Sequence, residues 1–125
     1  MSSHDEPALR SGAVRRFNDP AYVPVAANLA ELRARIDALD EQIVALLAQR
    51  ALCVRDATRF KRDAFQASAP ARQAQVFERV SGLARRHDGS FPDFPGVVDA
   101  TYRAMVGAFV AGESHLLNQT ELLEP

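Results

Sequence analysis

The sequence predicts an all-α protein of three helices, the first very long, paired as an antiparallel homodimer with the long helices side by side. Three observations lead there. From Leu29 to about Asp63 there is neither Gly nor Pro, and Ala, Leu, Arg, Glu and Gln dominate, all good helix formers. Apolar residues in this stretch recur in alternating steps of four and three, at Leu32, Ile36, Leu39, Ile43 and Leu46, the spacing of a helix that packs along its whole length. Finally, a helix of about 35 residues is roughly 52 Å long, whereas a compact domain of this size has a radius of gyration of about 14 Å. Two shorter helices cannot cover such a seam, so a second copy of the chain is expected to do so.

Residues 1–27 read as a flexible arm, with Pro7, Pro20 and Pro24 and no periodic pattern. The helical domain is expected over 28–118. Asn28 and Glu31 form a capping-box pattern at the start of the first helix. "AFQASAP" breaks that helix, and Pro70 suits the first turn of the next. The second helix is expected from about Ala71 to His87, with Val76, Val80 and Leu83 as its apolar line and Phe77 and Ala84 beside it. "ARRHDG" supplies basic residues and a glycine stop. "SFPDFPG" connects to a third helix, from near Pro95 to Leu117, whose apolar face carries Val98, Tyr102, Met105, Phe109 and Leu116. Residues 119–125 form a tail.

Composition narrows the function. The 15 basic and 16 acidic side chains nearly cancel, which argues against a nucleic-acid or membrane-surface binder. No apolar run approaches the roughly 20 residues that span a bilayer, and the first 25 residues lack the apolar stretch of a secretory signal. Cys53 is the single cysteine and cannot pair internally, so a reducing, cytoplasmic setting is expected. It reads as a small buried hydrophobe. His4, His87 and His115 are scattered without a second ligand one helical turn away, so neither a metal nor another cofactor is expected. There is no Gly-rich phosphate loop and no Ser–His–Asp arrangement.

The seam itself carries an anomaly. The step of four after Leu46 lands on Arg50, and the next steps land on Cys53, Ala57 and Phe60. Arg33 and Lys61 lie one heptad slot to the side and four heptads apart. Arg50 and Lys61 are separated by 11 residues, roughly 16 Å on a helix, so their side chains can converge on one small molecule. In an antiparallel dimer, Arg33 of the other chain comes level with that space. Arg72 precedes Val76 by one helical turn, and Glu113 follows Phe109 by one, so both are expected to point inward. A carboxylate there is costly unless paired or protonated. Each residue alone has a structural explanation, such as setting the register of the seam or reaching out to solvent. Five converging on one interior read as a cationic pocket for a small dicarboxylate.

"ELRARIDALDEQIVALLAQR", "RFK" and "PARQAQVFERV" closely resemble the all-helical chorismate mutase family, which includes isochorismate pyruvate lyases and aminodeoxychorismate mutases. The likeness covers residues 29–117, and the Arg33, Arg50, Lys61 spacing carries most of it. It implies an intertwined dimer with two active sites, each completed by an arginine of the other chain. It further implies that Arg50, Arg72 and the other chain's Arg33 hold substrate carboxylates. Lys61 and Glu113 would serve the ether oxygen of the enolpyruvyl group, and Gln73 a ring hydroxyl. Chorismate mutase activity is the expectation. The alternatives are an isochorismate pyruvate lyase, for which "RFK" and "PAR" speak, then an aminodeoxychorismate mutase, and, from another class, a non-catalytic helical dimer.

Overall fold

The computed structural model describes residues 6–89 and 91–123. Among them the secondary structure is entirely helical: α1 at Leu29–Ala57, α2 at Ala64–Ser68, α3 at Pro70–Arg85 and α4 at Phe94–Leu117. Three helices are long, as expected, and α2 is an unforeseen short one. The chain divides into two compact units, Met1–Ala48 and Gln49–Pro125. His4 lies outside the described residues.

In the first unit, residues 6–28 form no regular element. Asp19 organises a turn there, accepting from Ala21 N–H at 2.9 Å, and the Phe17 and Tyr22 rings meet at 4.7 Å. The start of α1 carries the reciprocal cap that "NLAE" predicts. Asn28 Oδ1 accepts from Glu31 N–H, and Glu31 Oε2 accepts from Ala27 N–H, both at 3.0 Å. The seam of α1 is largely bare in the single chain: Ile36, Leu39, Ile43 and Leu46 are 54%, 55%, 52% and 62% exposed.

In the second unit, the end of α1 departs from expectation. The helix stops at Ala57 and tightens into a 3₁₀ turn over Thr58–Phe60. The Thr58 hydroxyl donates back to the Val54 carbonyl at 3.1 Å, a bond that competes with the helical ladder and bends it. Lys61 then turns extended, with φ −106° and ψ 132°. Asp63 opens α2 by accepting from Gln66 N–H at 2.9 Å, while Gln66 Oε1 takes Arg62 N–H at 2.6 Å. "DAFQ" is thus a second capping-box pattern, which a reading of uninterrupted helix overlooks.

Helix α3 begins at Pro70, one residue before the expected start, and ends at Arg85, two before the expected stop. Gly89 follows at φ 95°, a conformation in which side chains are strained. Asp93 caps α4, accepting from Gly96 N–H at 3.3 Å. A Cβ at position 96 would overlap that carboxylate, so glycine is needed there. Val80 and Ala84 of α3, Val106 of α4 and Ala67 of α2 are buried. Arg103, held by Asp99 at 2.9 Å, lies 4.5 Å above the Phe77 ring. Leu83, expected on the apolar line, is exposed.

Candidate active site

One cavity of about 310 Å³ in the second unit brings together five of the six residues singled out from the sequence: Arg50, Lys61, Arg72, Gln73 and Glu113. The sixth, Arg33, is in the first unit, where its guanidinium pairs loosely with Glu6 at 3.6 Å. The volume falls in the range of small-molecule pockets. Apolar walls come from Val54, Val76, Val106 and Phe109.

Each polar group arrives by a different local route. Arg50 is carried by α1 and is half-buried. Its guanidinium lies 5.0 Å from the centroid of the Phe109 ring, whose electron-rich face favours a cation without neutralising it. That ring was foreseen only as part of an apolar face. Lys61 reaches the cavity from the extended residue after the 3₁₀ turn and not from a heptad slot, so the helical spacing assigned to it does not hold. Arg72 lines the cavity but is itself exposed, because it sits in the first turn of α3, ahead of the contact at Val80. Cys53, expected to be buried, is exposed and also borders the cavity.

Among the described residues, neither Arg50, Lys61 nor Arg72 makes an ion pair. Glu113 is the exception to the cationic lining. It is buried at 8% exposure, and this burial pushes its carboxyl pKa above the ordinary glutamate value. The Lys61 charge, and to a lesser extent the neighbouring Thr58 side chain, pull the other way. The cavity therefore carries three cations with no ion pair among the described residues and one buried carboxyl whose pKa is raised. A doubly negative ligand is its chemical complement.

The raised pKa has a thermodynamic sign. In the unfolded chain Glu113 ionises at its ordinary value, so over the interval up to the raised value the folded state binds more protons. Stability is expected to fall as pH rises through that interval, and Glu113→Gln should remove this slope. Thermal unfolding of both proteins across the acidic range checks it.

The family model described as Chorismate mutase type II matches residues 32–114, more than half of the chain. The chain belongs to the type II chorismate mutase family. The matched span includes all six residues singled out above. No curated protein and no solved structure is significantly similar to the chain. The chorismate mutase domain so defined leaves residues 6–31 of the arm and cap outside it. Among its described residues no His, Cys, Asp or Glu cluster could hold a metal ion, and no helix is long and apolar enough to cross a membrane.

Proposed function

We propose that the protein converts chorismate to prephenate. The observation that carries this is the joining of Arg50, Lys61 and Arg72 with Glu113, a buried carboxyl whose pKa burial pushes up, around one cavity. The rearrangement is intramolecular: the enolpyruvyl C–O bond breaks as a C–C bond forms, with no proton transferred and no covalent intermediate. The protein has only to hold the folded conformer and stabilise the polar transition state. Arg50 and Arg72 hold the two carboxylates, Arg50 in the paired fashion that guanidinium favours. Lys61 donates to the ether oxygen, where negative charge grows. Protonated Glu113 donates to the same oxygen, and Gln73 Oε1 accepts from the ring hydroxyl.

The bare seam of α1 supports a homodimer. Ile36, Leu39, Ile43 and Leu46 are apolar and half or more exposed, and a second copy laid antiparallel buries them. Arg33 of the partner subunit then completes each cavity.

A second reading is an isochorismate pyruvate lyase, which yields salicylate and pyruvate from a pocket of nearly the same parts. It is favoured by the short link between Lys61 and α3, only Arg62 to Ala69 with α2 inside it. Product analysis with chorismate, isochorismate and aminodeoxychorismate decides. Prephenate from chorismate is expected, salicylate from isochorismate selects the lyase, and turnover of none of the three leaves the non-catalytic dimer.

For the mutase, activity should fall as pH rises through the Glu113 pKa, because the carboxylate has no proton to donate. Glu113→Gln, a donor at every pH, should flatten the profile. An unchanged profile in that variant removes Glu113 from the mechanism.

A further inference from the structure

The corner between α2 and α3 ends one helix and starts another on a single residue. Ala69 sits at φ 44° and ψ 64°, the left-handed region, which L-residues other than Gly and Asn rarely occupy. Its N–H closes α2 on Phe65 O at 3.1 Å, and its carbonyl opens α3 by accepting from Gln73 N–H at 2.9 Å. One carbonyl of the corner has no such backbone partner. Ser68 is the last residue of α2, where carbonyls are left without intrahelical donors. The Gln73 side chain fills that place: its Nε2 donates to Ser68 O. Gln73 therefore holds the corner twice, by backbone at Ala69 and by side chain at Ser68. Ala67, Ser68, Ala69 and Gln73 all line the cavity, so the corner is one of its walls.

We infer that Gln73 is a positioning residue whose carboxamide locks the left-handed Ala69 corner, and so sets the wall against which substrate binds. One of its two N–H donors is committed to Ser68 O, which leaves Oε1 and the second N–H to face a ligand hydroxyl. This rests on the cavity being the substrate site, although the lock itself does not.

Gln73→Glu separates the two sides of the amide. It keeps an acceptor for a ligand hydroxyl, but above its pKa it cannot donate to Ser68 O and sets oxygen against oxygen. The expected result is a drop of at least about tenfold in kcat/KM near neutral pH, mostly in KM. The ratio of variant to wild type should recover as pH falls and the new carboxyl regains a proton. Adding Ala69→Gly, which makes the left-handed corner free of strain, should restore several-fold of the loss. Amide exchange at Ala69 and Gln73 should quicken in Gln73→Glu and slow again in the double variant. Full activity in Gln73→Glu, or no gain from Ala69→Gly, would overturn the inference. If the wild-type protein turns over none of the candidate substrates, the proposed function fails, and the exchange rates alone then decide the lock.

Discussion

Lys61→Ala is expected to lower kcat by about 10²–10³-fold, the usual cost of losing one donor aimed at developing negative charge, about 2.7–4 kcal/mol. The fold should survive, for a local reason. Lys61 is anchored by its backbone N–H, which donates to Thr58 O at 3.1 Å, and alanine keeps that bond. The side chain makes no ion pair among the described residues, so truncation breaks no direct salt bridge. Removing a positive charge beside Glu113 also removes one influence that lowers its pKa. The residual activity of Lys61→Ala should therefore persist to higher pH than that of the wild type. Steady-state kinetics across pH, beside thermal unfolding, separate this from instability. A variant with wild-type turnover would show that the ammonium does not touch the reacting ether.

The second large effect is expected at the seam. If the proposed dimer holds, Ile43→Asp should convert the protein to a monomer and reduce activity by more than about 100-fold, because a charge left in an apolar interface is costly and each cavity would lose Arg33 of the partner subunit. Ile43 is half-exposed in the single chain, so the substitution has little to disturb within one copy. Full burial of such a side chain is worth about 1.5–3 kcal/mol, and the proposed dimer would bury every seam residue once on each copy. Sedimentation velocity at assay concentrations, with activity measured in parallel, is the check. A wild-type protein that sediments as a fully active monomer would end the shared-site reading.

The two outcomes are independent in a useful way. Lys61→Ala should be an inactive dimer, whereas Ile43→Asp should be an inactive monomer with its own three cavity cations intact. Mixing the Ile43→Asp chain with an excess of wild type should not restore it, since its seam still carries the charge.

The legible parts of the sequence were those written in local chemistry. Pro70, Pro95 and the Asn28–Glu31 pair place three helix starts to within a residue or so, because each acts through neighbouring backbone groups. The helix-face offsets that singled out Arg50 and Glu113 also survive, since both positions lie on regular helix. Lys61 lines the cavity, but not by the spacing read from the sequence: the heptad count runs past Thr58, where the back-bond to Val54 O and the caps of α2 end the regular helix. Arg72 and Cys53 show a different limit. Both lie on apolar lines, but periodicity says which side of a helix a residue occupies and not whether one chain alone covers that side. The Ala69 corner was illegible for a third reason. An alanine in the left-handed region carries no signature of its own, and the Gln73 bond that holds it depends on where Ser68 comes to lie.

The extended backbone at Lys61 has a bearing on how chemistry and assembly can change separately. The ammonium hangs from a joint between α1 and α2, while the apolar stripe that would hold two copies together runs earlier along α1. Lengthening or shortening the joint re-aims the donor without shifting a single seam residue. In the proposed dimer the donor is thereby free to change while the seam stays as it is.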